Sequence, residues 1–147
     1  MDSPISVPLV VAEGGQAPGY ATAGAAGMDV RCVKAFELAP GERKAVSTGL
    51  RFAVPEGYEM QARPRSGLAI RHGIGMVNAP GTIDCDFRGE VKILLVNFGA
   101  DVVRFSKGDR IAQLVLCPVA KCAWDVMDEL EASDRGHGGF GSTGVSD

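Results

Sequence analysis

The chain has 147 residues, enough for one domain with a real core and too few for a second. Its formal charge is −3, from 18 acidic and 15 basic residues, which argues against a general electrostatic grip on nucleic acid and leaves only local phosphate contacts. Hydrophobic content of 46% excludes wholesale disorder, while 20 Gly and 8 Pro predict many tight turns and favour β structure.

The N-terminus MDSPISVPLV has neither a basic n-region nor an apolar h-region, and no apolar run reaches membrane-spanning length, so a soluble, cytoplasmic protein with no membrane partner is expected. Ile5 to Val11 alternates loosely around two prolines, the pattern of an edge strand. Met28, Val30 and Cys32 then alternate with Asp29 and Arg31 as a short strand. In isolation Asp29 is a solvated strand residue. Phe36 to Leu38, Lys44 to Phe52 and Tyr58 to Ala62 follow as further strands, separated by Ala39-Pro40-Gly41 and Pro55-Glu56-Gly57 turns.

One internal helix is predicted, opened by Ser66 as N-cap and stopped by Gly73, with Arg63 and Arg65 bracketing Pro64 before it. Unpaired N–H groups, a hydroxyl and two guanidiniums suit an anion, and a capped connecting helix with surface arginines is the plain alternative. From Val77 to Asn97 the chain reads as strand, turn, strand, a hairpin with Asn78, Pro80 and Gly81 in a turn. Asp84 in it is either a turn former or a carboxylate held rigidly for use.

Val102 to Phe105 and the run Arg110 to Val119 are the next strands, with Ile111, Leu114 and Leu116 as core. Gln113 among them is tied into a backbone network or faces a polar site. Trp124 to Glu131 is ambiguous between strand and loop. The tail from Ser133 to Gly144 cannot form a core; it is a flexible terminus or a segment that wraps phosphates with N–H and hydroxyl groups while Phe140 covers a base. Of the four cysteines, Cys117 and Cys122 could suggest a metal pair. With only His72 and His137 to complete it, small buried packers are expected instead, and no H-x-E with P-C-x-x-C supports zinc deaminase chemistry.

Five strings occur in one order along the chain. They are AGMD at Ala26 to Asp29, PRSGLA at Pro64 to Ala69, NAPGTIDCDFRGEVK at Asn78 to Lys92, GDRIAQLV at Gly108 to Val115, and RGHGGFGSTG at Arg135 to Gly144. Together they resemble the motifs of the trimeric dUTP diphosphatase family. The resemblance implies a jelly-roll-like all-β subunit and a homotrimer whose active sites draw on all three chains. Residues 1–132 would form the domain, and residues 133–147 an arm closing over a site. It implies hydrolysis of dUTP to dUMP and pyrophosphate with Mg²⁺ on the triphosphate, limiting uracil in DNA and supplying dUMP for dTMP synthesis.

By the same resemblance Asp84 is the general base for water attacking the α-phosphorus. Arg65, Ser66, Gly67 and Gln113 meet phosphates, and Asp29 reaches the metal through water. Asn78 with the backbone of Gly81, Thr82 and Ile83 reads uracil. Phe87 stands where the family usually has Tyr, its ring on the sugar. Arg135, Phe140, Gly141, Ser142 and Thr143 belong to the closing arm. A dCTP deaminase of the same superfamily resembles R-S-S-x-A-R where this chain has Arg65-Ser66-Gly67-Leu68-Ala69-Ile70, and lacks the fifth motif. A nucleotide-sensing binding module is the rival of a different class, disfavoured by Asp84 and the intact tail.

Overall fold

A computed structural model describes residues 3–146. Period-two patterning accounts for most of it. In β9, Val91–Asn97, the side chains of Val91, Ile93 and Leu95 are buried while Lys92 and Leu94 face outward. β9 pairs antiparallel with β5, Arg43–Phe52, and with β7, Ile74–Met76; β1, Leu9–Val11, adds the far edge, giving a four-stranded sheet ordered β1-β5-β9-β7.

The second sheet has five strands ordered β2-β3-β11-β6-β8. They are β2, Gly19–Tyr20; β3, Met28–Arg31; β6, Tyr58–Arg63; β8, Gly81–Ile83; and β11, Arg110–Pro118. Its buried Val30, Met60, Ala62 and Leu114 meet Val46, Leu50, Ile93 and Leu95 of the first sheet in one core. A small pair of β4, Phe36–Leu38, and β10, Val103–Phe105, closes one end, where Phe36 and Phe105 stack with ring centroids 4.5 Å apart. The jelly-roll-like all-β subunit with one short helix is therefore the fold observed. No helix among the described residues is long and apolar enough to cross a membrane.

The expected hairpin over Val77 to Asn97 does not form. β8 pairs with β6, Gly81 opposite Ala62 and Ile83 opposite Met60, whereas β9 lies in the other sheet. Residues 84–90 carry the chain across the roughly 10 Å between two packed sheets. Alternation marks both strands correctly but says nothing about which partner each takes.

The helix α1, Ser66–His72, departs from expectation at its start. Arg65, extended at φ −96° and ψ 128°, occupies the N-cap position, with no side-chain cap, and Ser66 is the first helical residue. The Arg65 side chain is engaged with Asp29 instead. Gly73 does end the helix, at φ 67°, where its N–H reaches the carbonyls of Leu68 and Ala69. A Cβ there would lie 2.8 Å from the Gly99 nitrogen, so the close backbone approach also requires glycine.

Beyond Pro118 the chain leaves the sheets. Trp124, Val126 and Leu130 are exposed and join no strand among the described residues. The described tail residues hydrogen-bond among themselves, through turns such as Gly138 N–H to the Arg135 carbonyl and Ser142 N–H to the Gly139 carbonyl, and Phe140 is fully exposed at φ 51°.

Candidate active site

Three groups of candidate residues emerge. The first is an ion cluster at one end of the five-stranded sheet. Gln113 of β11 lies between Asp29 of β3 and Arg63 of β6, and its amide donates to the Pro64 carbonyl at 3.0 Å. That contact selects the backbone-network alternative for Gln113 and fixes the chain just before Arg65. Asp29 Oδ1 meets Arg65 Nε at 3.2 Å and Oδ2 meets Arg110 Nη1 at 3.3 Å, while Arg65 Nη1 donates to the Arg110 carbonyl. Two guanidiniums on one carboxylate leave a surplus positive charge, with Ser66 and Gly67 following directly. Gly27 gives the Gln113 amide its room, because a Cβ there would displace Gln113 Oε1.

Sequence reasoning missed Arg110. Strict alternation from Gln113 would send it to the other face, but the register shifts between Arg110 and Ala112, and Ile111 and Ala112 are buried in succession. This β-bulge brings Arg110 to the face of Asp29. No residue type in GDRIAQLV announces it.

The second group lines a cleft of about 280 Å³ between β8 and the start of β9. Asn78, Gly81, Thr82, Ile83, Asp84 and Phe87 all border it, together with Glu90, Lys92 and Leu94. Gly81 is buried against Ala62, and a Cβ on it would sit 3.3 Å from Asn78 Nδ2, so glycine keeps the cleft open beside the amide. The loop after Asp84 is tied by its own backbone. Phe87 N–H donates to the Asp84 carbonyl, and Arg88 Nη1 donates to the carbonyls of Cys85 and Phe87 at 2.7 and 2.9 Å.

Glu90, also unanticipated from sequence, anchors the far end of that loop. Its Oε2 accepts the Gly49 N–H at 3.1 Å, at the bulge where β5 slips against β9. Asp84 further borders a larger groove of about 820 Å³ beside Pro55 and Tyr58. The smaller cleft is the better candidate for a ligand, because the amide, carboxylate and aromatic ring converge there.

The third group, Arg135, Phe140, Gly141, Ser142 and Thr143, lies on the tail and has no hydrogen bond to the body among the described residues.

These groups do not meet within one chain. Asp84 follows Ile83, which is level with Met60 and Leu116, so it sits about four residues along and two strands across from Gln113. At about 3.3 Å per residue and 4.8 Å per strand that is roughly 16 Å, and about 19 Å to Asp29 one strand further.

The cysteines are free. Cys32 is buried, its thiol donating to the Ser106 carbonyl, and burial pushes its pKa up; Cys117 is half-buried. Cys122 is exposed, contrary to expectation, because the segment carrying it has left the sheets. Among the described residues no three His, Cys, Asp or Glu side chains cluster as a metal site.

An antiparallel sandwich with an acid in a small cleft and a two-arginine cluster at the other end of its sheet has the parts that a phosphate-handling enzyme needs. The chain belongs to the dUTPase family, whose sequence model matches residues 13–144. It is 59% identical over 127 residues to the deoxyuridine 5'-triphosphate nucleotidohydrolase of Anaeromyxobacter sp. (strain Fw109-5), covering 86% of each chain. The enzyme of that name from Desulfotalea psychrophila is 58% identical over 130 residues, 87% of each. The structure is similar to the dUTPase of Staphylococcus bacteriophage 80alpha with dUPNHPP, at a TM-score of 0.89 and 25% identity, covering 95% of this chain and 99% of that one.

Proposed function

We propose that this enzyme hydrolyses dUTP to dUMP and pyrophosphate, at sites completed between the chains of a homotrimer. The observation that carries the reading is the cleft beside Asp84. At about 280 Å³ it lies just below the usual span of about 300–1,000 Å³ for ligand sites, which suits a nucleoside and leaves the triphosphate outside. Asn78 and the backbone of Gly81 to Ile83 face the base edge, and the Phe87 ring flanks the sugar. Unmet hydrogen bonds discriminate by about 10⁴–10⁵, but a methyl group in an apolar pocket by only about 10–200-fold, so thymine is refused by the rigid backbone around Gly81.

Asp84 takes a proton from water as its oxygen bonds to the α-phosphorus; the bond from that phosphorus to the β-phosphate oxygen breaks, and pyrophosphate leaves. Such a base contributes about 10²–10⁴ in rate. Arg65 stabilises the charge that develops on the phosphates, with the Ser66 hydroxyl and the Gly67 backbone beside it and Asp29 and Gln113 holding the segment.

Mg²⁺ fits as part of the substrate. Both oxygens of Asp29 are already on guanidiniums, so it would touch an ion only through water while phosphates hold it. Bound there, the ion would neutralise triphosphate charge.

The separation of about 16–19 Å between Asp84 and the arginine cluster exceeds what contacts to one α-phosphate can span, which supports base and cluster coming from different chains. Residues 133–147 would be an arm on the 1–132 domain, closing over a neighbour's site with Phe140 on the base and Arg135, Gly141, Ser142 and Thr143 at the terminal phosphate. The setting is the cytoplasm, where the reaction limits uracil in DNA and supplies dUMP. Pyrophosphate release from dUTP, dCTP, dTTP and UTP, with Mg²⁺ and with chelator, tests the reading. Release from dUTP alone, weakened by chelator, supports it; tight dUTP binding without release, or ammonia from dCTP, overturns it.

A further inference from the structure

Gly89 lies outside every motif role assigned above, yet the Phe87 ring rests on it. A Cβ built at Gly89 would stand 2.7 Å from Phe87 Cζ and 3.1 Å from Cε2. The glycine is not in the left-handed region, so its backbone would accept alanine, and the need for glycine is a need for space. Phe87 is 43% exposed and borders the cleft with Asp84 and Asn78. Its main chain is fixed by the Asp84 turn and the Arg88 guanidinium, which leaves the ring's direction as the one free variable.

We infer that Gly89 is a specificity-determining residue: by lacking a side chain it lets the Phe87 ring lie down at the sugar end of the cleft, and so sets the discrimination between deoxyribose and ribose. The inference rests on the nucleotide reading proposed above. Ordinary carbon contacts need about 3.5–4.0 Å, so a methyl at position 89 moves the ring edge by about 1 Å. A displacement of that size changes rates by up to about 10²-fold where positioning decides the outcome. Gly89 acts through Phe87 and does not itself border the cleft, so it is a positioning residue.

The test compares kcat/KM for dUTP and UTP in the full-length wild type, Gly89→Ala, Phe87→Ala and the double variant. We expect the dUTP over UTP ratio to fall about tenfold or more in Gly89→Ala, and the double variant to match Phe87→Ala alone. A ratio within about twofold of wild type, or losses that multiply in the double variant, overturns the inference. Should Gly89→Ala fail to fold, the same change is read in a Phe87→Leu background. A ratio equal to that of Phe87→Leu alone supports the inference, and a further change overturns it. A wild type that turns over dUTP and UTP alike leaves the hydrolase reading standing and overturns this one. A wild type that leaves dUTP intact overturns both.

Discussion

Mixing two crippled chains tests whether the site is shared. Asp84→Asn removes the proposed base and should lower turnover by about 10²–10⁴ while dUTP binding and assembly persist, because Asp84 is an exposed loop residue. Arg65→Ala removes the guanidinium that is held on Asp29 and proposed to meet the phosphates, and loss of such a donor costs about 10²–10³. With Asp84 and the cluster about 16–19 Å apart in one chain, a shared site would take each from a different chain. After co-refolding at equal ratio, each site draws an intact Asp84 from one chain with probability one half and an intact Arg65 from another with the same probability. About one quarter of sites are then whole. Initial rates of pyrophosphate release should rise to about a quarter of wild type, roughly 25-fold or more above either parent. A mixture that stays at the mean of its parents would refute the shared-site reasoning.

Two further outcomes are expected. Removing residues 135–147 should abolish efficient turnover and leave the thermal midpoint nearly unchanged, since the described tail residues hydrogen-bond only among themselves; a large fall would make the tail a structural element. Asn97 is fully buried, donates to the carbonyls of Leu38 and Asp101, and accepts the Gly99 N–H. Asn97→Ala breaks all three bonds at about 1 kcal/mol each, so a loss of about 3 kcal/mol and a midpoint lower by about 6–12 °C are expected in a thermal melt. A shift under about 2 °C would show that water replaces the amide.

The local pattern of this chain determined much of it in advance. Alternating side chains placed β3, β6, β9 and β11, Gly73 stopped the helix in a left-handed cap, and the Gly-rich tail could contribute nothing to a core. These follow from interactions between residues close in sequence, where steric and hydrogen-bonding rules suffice. The partners of the strands were decided only in three dimensions. β8 and β9 read as a hairpin, but Ile83 packs with the five-stranded sheet and Ile93 with the other, because each strand settles where its apolar face finds a complementary one.

The same limit governs the candidate site. Asp29, Arg65 and Gln113 stood out as residue types, yet their assembly depends on register across three strands, and Arg110 joined them through a bulge that alternation cannot reveal. Glu90 and Gly89 matter through atoms they meet across space: the Gly49 N–H for one and the Phe87 ring for the other. Residue types were legible one by one. Geometry was not, because it arises from the packing of segments far apart in the chain.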